Sequence, residues 1–150
     1  MRSNEEIEAF LLQLGADYQA PQEGMWIIHD EYEHLENIVI YNDPPVITFR
    51  CKLMAVPTSA RRAEFCETLL RLNATEMVAG AYGIEDEHVV ITDTLQSANL
   101  DLNELQAAVD GLSLAISVHY PILGEYRTEP PTSDESALDA FDERLNSSGN

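Results

Sequence analysis

The stretch VITFRCKLMAVPTSARRAEFCETLLRLNA, residues 46–74, changes its hydrophobic period halfway along, and that change decides the fold class. In its first part Ile47, Phe49, Cys51 and Leu53 alternate with Thr48, Arg50 and Lys52, the period of two expected of a strand with one buried face. Pro57, Thr58 and Ser59 then open a helix predicted to run to about Asn73. On a helical wheel Ala63, Phe65, Cys66, Leu69, Leu70 and Leu72 share a broad arc opposite Glu64, Glu67, Thr68 and Arg71. Arg62 falls inside that arc, and its stem is expected to pack while its guanidinium reaches water, a partner carboxylate being the second reading.

Working back toward the N-terminus, NDPP (42–45) is a turn, and LENIVIYN (35–42) and MWIIH (25–29) read as two further strands. The residues before them, with Pro21 and Gly24, read as a loop. Ser3 and Glu6 have capping-box spacing ahead of Ile7, Phe10, Leu11 and Leu14, so a short amphipathic helix opens the chain and stops at Gly15. Working forward, MVAGAYGI (77–84) and HVVITD (88–93) form a strand pair around an acidic turn. A last helix begins near Asn99 or Asp101, with Asp101 and Glu104 as a capping pair, and ends before Pro121. The expected fold is α+β, an antiparallel β-sheet with helices in the order α-β-β-β-α-β-β-α.

The last helix has two apolar stripes. Leu102, Leu105, Val109, Leu112 and Ile116 suit packing on a sheet, while Ala107, Gly111, Leu114 and Val118 lie on nearly the opposite side. A helix apolar on two sides must be covered twice, and the expected second cover is another subunit, ahead of a helix or the tail. From Gly124 the composition turns polar, acidic and proline-bearing, which divides the chain into a body at 1–123 and a tail at 124–150. Within the tail Thr132 and Glu135 have capping spacing ahead of Leu138, Phe141 and Leu145, a short helix readable as a hook for a partner.

The net charge of −19, with Lys52 as the only lysine, argues against nucleic acid and anionic membrane as partners and suits a basic protein segment. No apolar run approaches the roughly 20 residues of a bilayer span, and the acidic start lacks the basic and apolar regions of a signal peptide, so a cytoplasmic protein is expected. Cys51 and Cys66 fall at apolar positions and read as reduced, buried thiols.

HDEYEH (29–34) invites a metal reading, but His29 and His34 stand where one strand must turn into the next and do not form the HExxH helical pair. A polar bend is the stronger reading; His88 and His119 are distant in sequence. GxSxG, P-loop and GxGxxG patterns are absent, and Ser59, Ser97 and Ser113 read as caps or helix-surface residues. No catalytic residue, metal or cofactor is expected, and a metal-dependent hydrolase built on His29 and His34 is the weakest alternative.

The strand leading through Pro57 into a helix, VITFRCKLMAVPTSARRAEFCETLLRLNA, together with AYGIEDEHVVITDTL followed by NLDLNELQAAVDGLSLAI, resembles the class I type III secretion chaperone family and the YbjN-like bacterial proteins over roughly residues 3–120. The resemblance implies a non-enzymatic homodimer, chaperone-like or adaptor, that binds a segment of another protein without nucleotide or metal. Candidate partner or dimer contacts are Trp26, Ile28, Arg62, Phe65, Leu69, Ala107, Gly111, Leu114 and Val118, each also readable as core. The alternative role is a regulatory or assembly subunit that acts through its tail helix.

Overall fold

The computed structural model describes residues 2–30, 35–58 and 60–127. Nine elements follow in order: α1 (Asn4–Gln13), β1 (Asp17–Gln22), β2 (Met25–Asp30), β3 (Leu35–Asp43), β4 (Val46–Ala55), α2 (Arg62–Thr75), β5 (Ala81–Glu85), β6 (His88–Gln96) and α3 (Leu102–Gly124). The six strands form one antiparallel sheet in the order β1-β2-β3-β4-β6-β5.

Register sorts the side chains onto two faces. Trp26 pairs with Ile40, Ile40 with Phe49, Ile28 with Ile38, and Cys51 with Ile91, which puts these buried side chains on one face. They join Ile7 and Leu11 of α1, Phe65, Leu69 and Leu72 of α2, and Leu105, Leu112 and Ile116 of α3 in one core cluster. The other face carries Ile27, Val39, Tyr41, Thr48, Arg50 and Lys52. One covered and one wet face is the usual condition of an antiparallel sheet.

Both expected capping boxes form: Ser3 Oγ accepts from the Glu6 N–H, and Asp101 Oδ1 from the Glu104 N–H at 2.8 Å. Other boundaries differ from expectation. The segment expected as a loop holds β1, an edge strand, where Pro21 is tolerated because an edge needs only half its backbone bonds. Helix α2 begins at Arg62 rather than Pro57 and has no side-chain cap, since Arg61 occupies the N-cap position. Residues 77–80 are not strand: Gly80, at φ +75°, turns the chain so closely past β6 that a Cβ there would lie 2.6 Å from the Thr92 carbonyl oxygen.

Helix α3 continues through Pro121 to Gly124. The proline lies on the exposed side, where a lost backbone bond costs least, and the turn it belongs to is held by burial of Leu123 and Tyr126. Tyr126 packs on Phe65 at 5.1 Å between ring centroids, beneath the Arg61 guanidinium, and bonds the Thr68 hydroxyl. The core therefore continues past residue 123, where the sequence places the start of the tail.

The buried polar residues also tie segments together. Asn42 donates from Nδ2 to Asn4 Oδ1 at 2.9 Å and to the Arg2 carbonyl, and accepts from the Ser97 hydroxyl. Ser97 is fully buried, a correction to its reading as a cap or helix-surface residue. Its N–H reaches the Pro45 carbonyl, so one polar cluster joins the N-terminus, the β3–β4 turn and the approach to α3.

Candidate partner-binding surface

The residues proposed from sequence as an interface separate into two groups. Trp26, Ile28, Phe65 and Leu69 are buried in the chain's own core, because their strands and helix turn those positions toward one another. Gly111 is buried too; it is where Ala79 presses on α3, and a Cβ at Gly111 would lie 2.7 Å from that of Ala79. Arg62 pairs with both carboxylate oxygens of Glu87 and holds that carboxyl below the usual range. The first reading of Arg62, a guanidinium left to water, is thus corrected: the second, a partner carboxylate, is the one found. The pair clamps the β5–β6 turn, where Asp86 and Glu87 both take positive φ.

Leu114 and Val118 are 53% and 56% exposed, and Ala107 is exposed as well. Ile122, one turn beyond Val118, extends the same stripe. From Gly111 to Gly124 the helix carries no aspartate, glutamate, lysine or arginine. Contrary to the expectation that no segment approaches a bilayer span, α3 at 23 residues would suit one by length and composition, yet Leu105, Leu112, Ile116 and Leu123 are packed into the core, so its apolarity serves a sheet-packed helix with a second apolar face. Val78, 81% exposed beside the Ala79 contact, belongs to the same region. Sequence reasoning missed it because residues 77–80 read as strand interior.

The sheet has edges of different character. At β1 the register slips between Gln19 and Gln22, and Pro21 lacks an N–H, so only its first half offers a regular ladder. At β5 the outward backbone groups of Tyr82 are taken by the Asn73 side chain: Tyr82 N–H donates to Asn73 Oδ1 at 2.7 Å, and Asn73 Nδ2 donates to the Tyr82 carbonyl at 3.1 Å. Strand β6 outruns β5, which starts at Ala81 opposite Thr92, so Asp93–Gln96 have a strand partner only on the β4 side.

The three described histidines do not converge. His29 lies on β2, its Nε2 shielded and without a hydrogen-bond partner; His88 bonds the Asp86 carbonyl; and His119 meets the Tyr82 hydroxyl at 2.7 Å in the core. Burial lowers the pKa of His119 and raises that of Tyr82, so the hydroxyl donates to a neutral imidazole. Residues 31–34 of the HDEYEH bend, His34 among them, and the tail residues Leu138, Phe141 and Leu145 lie outside the described residues. Among the described residues no group of three or more His, Cys, Asp or Glu side chains is placed to hold a metal.

No curated protein matches the chain. Solved structures do. YbjN of E. coli shares the fold at TM-score 0.60 and 11% identity, over 80% of this chain and 93% of YbjN. A chain of the heterodimeric complex ExoU–SpcU, from the type III secretion system of Pseudomonas aeruginosa, aligns at TM-score 0.59 and 14% identity, over 81% of this chain and 98% of that one. The Yersinia pestis structure of the type III secretion chaperone SycH with a fragment of YscM2 aligns at 0.53 and 13%, over 75% and 96%. These likenesses establish the fold. The family model CesT_Tir_1 matches residues 1–129, the whole of the described body, and by that match the chain belongs to the CesT_Tir_1 family of type III secretion chaperones.

Proposed function

We propose that this protein is a non-enzymatic chaperone or adaptor, a homodimer that holds an extended segment of a partner protein in the cytoplasm. Family membership and the structural neighbours solved with protein partners support the partner-binding role. The observation that carries the dimer is the charge-free outer face of α3. Two copies at −19 each repel, and the stretch Gly111–Gly124 lets them meet without opposed carboxylates. There Leu114, Val118 and Ile122 of one copy would leave water against those of the other. The free thiols of Cys51 and Cys66 suit a reducing compartment. Holding a segment needs only shape, backbone bonds and charge, with no covalent step.

Sedimentation at micromolar concentration tests this reading. The wild-type chain should run as a dimer, and the double variant Leu114→Asp/Val118→Asp as a folded monomer with an unchanged far-UV spectrum. A wild-type protein that stays monomeric would overturn the dimer, and a crosslinked pulldown from the native cell that recovers no partner would overturn the chaperone role.

A further inference from the structure

We propose that the chain beyond Arg127 folds back on its own α3: residues 133–145 lie as an antiparallel helix along the outer stripe Leu114, Val118 and Ile122, and so compete with a second copy for it. The consequence for association rests on the dimer reading above and adds its regulation.

The two apolar stripes match in length. Leu114 and Val118 are more than half exposed and Ile122 more than a third, and at 1.5 Å per residue the three span about 12 Å. In the tail Leu138, Phe141 and Leu145 stand at i, i+3 and i+7, a stripe of about 10 Å on a helix, with Asp139 and Glu143 on its other side. So short a helix is marginal in water and needs a surface to form on.

The point where the chain leaves the body is fixed beside the stripe. Tyr126 is buried against Phe65, and the Tyr126 and Arg127 N–H groups turn back to the Leu123 and Gly124 carbonyls. Pro130 and Pro131 keep α3 from running on, and Thr132 has the N-cap position of the tail helix. Residues 128–132 make a connection of five, within the roughly two to eight usual between antiparallel helices and long enough for the 8–10 Å separation of packed axes. A helix starting level with Arg127 brings Leu138 beside Ile122, Phe141 beside Val118 and Leu145 beside Leu114.

Charge favours that direction. From Gly111 to Gly124 α3 has no carboxylate to oppose an acidic helix. Asp134 and Glu135, in the first turn of the tail helix, come to Arg127, whose guanidinium lies over the Tyr120 ring and pairs with no carboxylate among the described residues. Arg144, the tail's only cation, comes to the end of the stripe where Asp110 is exposed. A linker this short holds the tail at an effective concentration of order millimolar, far above a micromolar second copy. The cost of ordering the helix offsets part of that advantage, so the tail weakens the dimer without abolishing it.

The test keeps the full chain. Leu138→Ser/Phe141→Ser/Leu145→Ser, which leaves the net charge unchanged, should lower the dimer dissociation constant about tenfold in sedimentation equilibrium. Asp139→Asn/Glu143→Gln removes two charges from the outer side of the tail helix and should change it less than about threefold. A benzophenone side chain in place of Phe141, in a mixture of isotopically light and heavy chains, identifies the occupant. Its photocrosslinks should reach residues 111–124 of the same chain, at monomer mass. Crosslinks to 111–124 of the other copy, to another surface or to nothing would overturn the proposal and leave the dimer reading standing. So would a dimeric wild type that the triple variant does not tighten, or equal tightening by the charge variant. Crosslinks within one chain while every variant stays monomeric would uphold the folded-back tail and overturn the dimer reading alone.

Discussion

Asn73 does for β5 what a neighbouring strand would do, holding an edge N–H and C=O with one side-chain amide. Replacing it by alanine removes both bonds from a partly buried site. Asn73→Ala should cost about 1–3 kcal/mol in denaturant unfolding, and the bared edge should make the variant self-associate more steeply with concentration in sedimentation. His119 supplies a second residue-scale expectation. Burial lowers its pKa from the usual 6.5, so the unfolded chain binds the proton more readily than the folded one. Stability from this group is then complete above about pH 6.5 and is lost as pH falls toward the folded pKa. Urea midpoints at pH 7.5 and 5.5 should differ more for wild type than for His119→Gln, and equal differences would refute the assignment.

Among the elements, α3 is the one used on both sides. Its inner side packs on the sheet, its flank receives Ala79 at Gly111, and its outer side keeps Leu114, Val118 and Ile122 in solvent. Gly111→Ala separates helix propensity from packing. Propensity alone would favour alanine by about 1 kcal/mol. The 2.7 Å approach to Ala79 forces residues 77–80 or α3 to shift, and the net effect should be a loss. A fall of roughly 4 °C in Tm, corresponding to about 1 kcal/mol, is the expected outcome in a thermal scan. A rise would mean the crossing segment yields freely. The capping boxes of α1 and α3 were legible because they are local chemistry at fixed spacing. The start of α2 was not: Thr58 and Ser59 are good caps by residue type, but β4 runs on to Ala55 and the helix begins only at Arg62.

For the whole molecule the governing quantity is the charge of −19. Association of two copies is opposed by that field at long range and favoured by the charge-free helix face at contact. Raising ionic strength from about 10 mM to about 0.15 M shortens the Debye length from about 30 to about 8 Å. The dimer should therefore tighten with salt, read as a falling dissociation constant in sedimentation equilibrium, whereas capture of a basic segment should weaken. Opposite salt slopes separate the two contacts in one protein; parallel slopes would mean both are electrostatic.

What the chain determined by itself was everything carried by near neighbours: the switch of period inside 46–74, the three helices and five of the six strands found among the described residues, and the two apolar sides of α3. The tertiary structure decided which apolar residues were core and which were surface. Trp26, Ile28, Phe65 and Leu69 cannot be told from Leu114 and Val118 by hydrophobicity or period, because burial depends on what other strands and helices bring opposite them. The sheet edges belong to the same class of fact. Pro21 could be seen in the sequence, but the Asn73 clamp, the overhang of β6 and the desolvation of Asp93 arise only where segments distant along the chain meet in register.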